Sequence, residues 1–116
     1  MKISILLPYK ENFSPNYPGA VSLFVNDTLK LSQYKKNIKV FGNTSYKKKF
    51  SRNYKNIKLK KIFFGSQSEN YMDEFIKHEK SNPSNIIEIH NRPHYLKYLI
   101  NEGVKSKFVL YFHNDP

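Results

Sequence analysis

The chain has 116 residues, 39% hydrophobic and 16% aromatic, with a formal net charge of +11 and no cysteine. That length suits one domain with a modest core, the composition is that of a globular chain and not a disordered one, and the lack of thiols excludes disulfides, thiolate metal sites and a cysteine nucleophile. No apolar run approaches the roughly 20 residues of a membrane span. Lys10 interrupts the start before a signal-like apolar region could form, so a cytoplasmic protein is expected.

"KISILLPY" (2–9) is a short apolar, β-branched run that predicts a strand buried on both faces. "KENFSPNYPGA" (10–20) predicts a loop, long for a connection from strand to helix and therefore a candidate for function. "AVSLFVNDTLKLSQYKK" (20–36) has apolar residues near helical spacing and a basic last turn. "NIKVFGN" (37–43) predicts a second strand. "NIKLKKIFFG" (56–65) predicts a third, whose alternation of Ile57 and Leu59 with Lys58 and Lys60 suits a sheet edge with one wet face. The linker between them, 44–55, is too long for a tight hairpin and has room for a turn of helix.

"SQSENYMDEFIKHEKSN" (66–82) opens on a Ser-x-x-Glu capping box, Ser66 with Glu69, or on Ser68 as an alternative cap, and continues as an amphipathic helix. "NIIEIHN" (85–91) predicts a fourth strand. "PHYLKYLINEG" (93–103) is a short helix with Pro in its first turn and Gly as its stop. "KFVLYFHN" (107–114) predicts a fifth strand. Strands alternating with helices imply an α/β fold, a Rossmann-like doubly wound parallel sheet of about five strands in the order 3-2-1-4-5.

The segment from Lys47 to Lys61 holds eight Lys or Arg and no acid. It fits either a solvated surface in a Lys-rich chain or a patch for an anionic membrane surface. Nucleic acid is disfavoured, because only Arg52 and Arg92 are arginines and specific phosphate and base recognition favours that side chain.

The fourth and fifth strands both end in His-Asn: His90-Asn91 and His113-Asn114. In open parallel sheets ligands bind in the crevice at the carboxyl ends of the strands, the rim that the 10–20 loop also reaches. Period-2 geometry places Ile86, Glu88 and His90 on one face and Ile87 and Ile89 on the other. Each histidine could equally cap its strand or bond a loop carbonyl. A metal held by His90, His94 and His113 with Asp115 is a weaker reading, since Pro93 interrupts the helix that a His90-x-x-x-His94 pair needs; no metal and no cofactor is expected.

"NIIEIHNRPHYLKYLI" followed by "FVLYFHNDP" resembles the fourth and fifth strands of the N-terminal domain of retaining family 4 glycosyltransferases. "KISILLPY…FSPNYPGAVSLFVNDTLKL" is similar to their opening of strand, loop and helix. The resemblance spans nearly the whole chain and implies the N-terminal half of a GT-B fold, with a second domain holding the sugar nucleotide. On it, Gly19 matches the glycine whose amide approaches the donor phosphates. His113 matches the strand-end histidine that contacts the transferred sugar, with a catalytic role. His90 lies toward the acceptor, with Asn91 and Asn114 beside the two histidines as further acceptor or substrate contacts. Pro18 departs from the pattern, standing where many members have a first glycine.

What the resemblance implies is the acceptor-side part of a nucleotide-sugar-dependent enzyme of cell-surface polysaccharide or glycolipid synthesis, whose partners would be a nucleotide-sugar and a saccharide or glycolipid acceptor at the inner membrane face. On this reading the chain is a fragment, inactive alone. The alternatives are a stand-alone Rossmann-like module that binds a nucleotide or a partner protein, and a nucleic-acid binder. An apolar fifth strand at the sheet edge further predicts a homodimer joined through Phe108 to Phe112.

Overall fold

The computed structural model describes residues 1–59 and 66–113. Five strands, β1 (Ile3–Leu6), β2 (Ile38–Gly42), β3 (Tyr54–Asn56), β4 (Ile86–His90) and β5 (Lys107–Tyr111), alternate with three helices, α1 (Ala20–Leu31), α2 (Gln67–Ser81) and α3 (Pro93–Asn101). The strands form one sheet in the order β3-β2-β1-β4-β5, and every pairing is parallel. The architecture is Rossmann-like α/β.

The central strand explains the two-layered core. All four residues of β1 are buried, and its side chains alternate between the faces. Ile5 and Leu7 pack with Val40 under Val21, Val25 and Leu29 of α1. Leu6 packs on the opposite face with Phe41, Ile87 and Ile89 under Tyr71, Phe75, Tyr95 and Leu99 of α2 and α3. One helix therefore covers one face and two cover the other, which makes the sheet doubly wound.

The helix ends follow their local chemistry. Ser66 caps α2, its Oγ accepting from Glu69 N at 3.0 Å. Pro93 opens α3, where a missing N–H costs nothing, and Gly103 closes the turn beyond it at φ +87°, a conformation that glycine adopts without strain. Helix α1 stops at Leu31, short of the expected Lys36, and a separate 3₁₀ turn at Lys35–Asn37 leads into β2.

The third strand lies earlier than its alternating pattern suggests. Residues 57–59 are not in a strand, and 60–65 of the expected element lie outside the described residues. Tyr54 pairs with Val40 instead, because its ring stacks on Phe13 at 5.3 Å and its hydroxyl comes so close to Gly42 that a Cβ there would meet it at 2.9 Å. The position at the sheet edge is as expected. The crossover before it contains no helix. It is coil pinned from both sides: Phe50 packs edge-on to Phe13, Thr44 N donates to Asn56 Oδ1 at 2.9 Å, and Asn53 Nδ2 donates to Lys35 O and Ile38 O, each at 2.8 Å.

Candidate functional site

The loop that leaves β1 is long but anchored. Its first turn closes with Glu11 N donating to Pro8 O at 3.1 Å, with Lys10 at φ +69°, the positive φ that such a turn uses at its third position. Phe13 is fully buried among α1 and the crossover, and Thr44 Oγ1 donates to Asn12 Oδ1 at 2.8 Å. These anchors bring the Glu11 carboxylate back over the start of α1. There Oε2 accepts from Ser22 N at 3.1 Å, satisfying one of the amides that a helix N-terminus leaves open. Gly19 is the N-cap residue and makes no side-chain cap; the space a side chain would need is filled by that carboxylate.

The ends of β4 and β5 supply the other half of the rim. Asn91 follows β4 at φ +56°, a left-handed conformation that asparagine tolerates better than most residues. Its N–H donates to Tyr111 O at 2.8 Å, and its Oδ1 accepts from His113 N at 2.7 Å. Asn91 thereby fixes the backbone of His113 over β4. The rings of His90 and His113 meet edge to edge, with centroids 4.9 Å apart and planes 23° apart, and His90 Nδ1 and His113 Nε2 share a hydrogen bond of 2.6 Å. His90 is 1% exposed, held between His113 and Tyr111, whose ring lies 5.0 Å away and parallel to within 5°. His113 is half-buried and forms the outer member. Phe24, from the second turn of α1, meets the His113 ring edge-on at 4.8 Å.

His90, Asn91 and His113 are in direct contact with one another, and Gly19 stands at the start of α1, whose Phe24 touches both histidine rings. His113 is the outer of the two rings, with His90 buried behind it, and the Asn91 side-chain Oδ1 is already used by His113 N. Asn114 lies outside the described residues. His94 goes elsewhere: it is exposed in the first turn of α3, its ring against Tyr95. Among the described residues no three His, Asp or Glu side chains converge as metal ligands, and Asp115 is outside them. The pKa of His113 is lowered, first by burial and then by the neighbouring His90, with Glu11 acting in the opposite direction. Its ring is accordingly held toward the neutral form, able to donate at one nitrogen and accept at the other.

Comparison with protein-family models, curated proteins and solved structures finds no match. The chemistry of the rim is read from its geometry.

Two residues there were not singled out from sequence. Glu11 is an acid in the turn directly after β1, in a chain with nine acids against twenty bases. Glu88 stands two residues before His90, on the same face by strand alternation, and its Oε2 lies 3.5 Å from His90 Nε2. The alternation was legible; the approach of the two groups was not.

The basic segment runs along the β2–β3 side of the molecule. Lys47, Lys48, Arg52, Lys55 and Lys58 are exposed, while Lys49 folds back onto Tyr46 O and the Tyr54 ring; Lys60 and Lys61 lie outside the described residues. Among the described residues no helix is long and apolar enough to cross a membrane. A separate open concavity of about 630 Å³ lies at the opposite, N-terminal edge of the sheet, between Met1, Ser84 and Lys107. It shares no residue with the rim.

Proposed function

We propose that the rim is the acceptor-side surface of a nucleotide-sugar-dependent glycosyltransferase that builds a cell-surface polysaccharide or glycolipid. The observation that carries this reading is the placement of His113 at the carboxyl end of a parallel sheet, beside the first turns of α1. Open α/β sheets bind their ligands at that crevice. A half-buried imidazole with aromatic neighbours suits a sugar, whose hydroxyls need hydrogen-bond partners and whose ring carbons need apolar contact. His113 contacts the transferred sugar, Asn91 holds His113 in position, and the N-terminus of α1 at Gly19 and Ser22 faces the donor phosphates, which displace the Glu11 carboxylate as they enter.

A binding module without transfer is the second reading. It is favoured by Glu11, whose charge already occupies the helix N-terminus and opposes a second anion. Titration of the isotopically labelled chain with a nucleoside diphosphate and, separately, with a neutral methyl glycoside tests both. The glycosyltransferase reading expects the glycoside to shift the His113 and Asn91 signals and the diphosphate to shift those of Gly19 and Ser22. A diphosphate effect without a glycoside effect supports the module; no effect of either ligand at these residues overturns the site.

A further inference from the structure

His90 Nε2 is buried and has no hydrogen-bond partner. A buried polar atom left unpaired is unfavourable, so an acceptor within reach of it matters. That is Glu88 Oε2, at 3.5 Å, a contact too loose for a hydrogen bond in this geometry but close enough to become one with a small side-chain movement. The Glu88 side chain is 25% exposed and lines a small cavity of about 130 Å³ with Phe24, Thr28 and Tyr111, so the carboxylate has room to move. From the other elements around the pair, β5 presents Tyr111, α1 presents Phe24, and the loop after β1 presents Glu11, whose charge is felt at His113.

We propose that Glu88 is a positioning residue that, through His90, sets which nitrogen of His113 carries the proton. A carboxylate can only accept, so it draws the His90 proton onto Nε2. His90 Nδ1 is then an acceptor. The 2.6 Å contact between His90 Nδ1 and His113 Nε2 needs one proton, which must belong to His113 Nε2. Neutral His113 is left with its lone pair on Nδ1, which accepts no hydrogen bond from any described residue. The outer nitrogen is therefore an acceptor, suited to a ligand hydroxyl. A hydrogen bond made at one nitrogen of an imidazole commonly dictates the state of the other; here that rule acts across two rings. The tautomer rests on the contacts of Glu88, His90 and His113, and its use toward a sugar hydroxyl rests on the proposed function.

The test is a long-range proton–nitrogen correlation spectrum of the chain labelled at histidine, recorded without ligand above pH 7. Both His90 and His113 are expected to carry their proton on Nε2 and to show an unprotonated Nδ1. In Glu88→Gln the side-chain amide can donate to His90 Nε2, so His113 is expected to shift to the opposite tautomer or to a mixture of the two. If that variant does not fold, Glu88→Asp, which retracts the carboxylate by one methylene, is expected to give the mixture. A proton on His113 Nδ1 in the unsubstituted chain overturns the proposal, as does an unchanged tautomer in a folded Glu88 variant. Because no ligand is present, a failure to bind glycosides leaves this result standing, and a wrong tautomer leaves glycoside binding to be judged separately.

Discussion

The Glu11 carboxylate occupies the space that any side chain at Gly19 would need, so a Cβ at residue 19 would overlap it. Glycine at this N-cap is thus tied to an acid eight residues earlier. Gly19→Ala should push the carboxylate away from Ser22 N and destabilise the chain by about 1 kcal/mol, the usual worth of an N-cap interaction. Most of that loss should vanish when Glu11 is already Ala, because the clash and the cap are then both gone. Urea denaturation of the two single variants and the double variant measures the coupling; additive losses would show that the pair does not interact.

At the other end of the sheet, Glu79 joins α2 to the starts of two strands. It is 3% exposed. Its Oε1 accepts from Ser4 Oγ at 2.9 Å and Ser84 Oγ at 2.8 Å, and its Oε2 accepts from Ser84 N at 2.8 Å. Glu79→Ala leaves these donors buried without their acceptor and should cost about 3 kcal/mol. Ser4→Ala removes one donor and should cost about 1 kcal/mol. Denaturant midpoints compare them, and equal losses would contradict a shared hub.

Acid should weaken the fold through two histidines. His78 has a lowered pKa, first from burial and then from Lys55, whose Nζ lies 3.4 Å from Nδ1. His113 is lowered first by burial and then by His90. For each, the unfolded chain takes up a proton more readily than the folded one. Their contribution is therefore whole above the ordinary value of 6.5 and is lost as the pH falls through the lowered folded values. Stability measured from pH 7.5 to pH 5 should decline, and less steeply in a His78→Gln, His113→Gln double variant. Identical slopes for the two proteins would refute this.

Strand β5 forms one edge of the sheet. Phe108 and Leu110 pack toward α3, but Val109 and Tyr111 are each 38% exposed and Phe112 is 68% exposed. Among the described residues no strand pairs with its outer edge, and such an edge invites pairing with another chain. A second copy pairing β5 to β5 about a two-fold axis would join two five-stranded sheets and cover part of this surface. Light scattering should show a dimer or larger species, and Val109→Lys should return it to a monomer. A stable monomer of the unsubstituted chain at high concentration would refute the pairing.

Sequence by itself determined the alternation of strands and helices and most element positions, because these depend on local chemistry. The apolar runs of β1, β2, β4 and β5, the Ser66 cap, and the Pro93 and Gly103 boundaries need only short-range patterns. It also placed His90, His113 and the loop at one rim, since parallel topology puts every strand's carboxyl end on the same edge. The tertiary structure decided what depends on contacts between residues distant in the chain. Tyr54 entered the sheet because Phe13 and Gly42 made a place for its ring, overriding the alternation that began at Ile57. Glu11 reached the start of α1 only because the Phe13 anchor folds the loop back. The shared hydrogen bond of His90 and His113 spans 23 positions, and periodicity along one strand carries no signal for the distance between two.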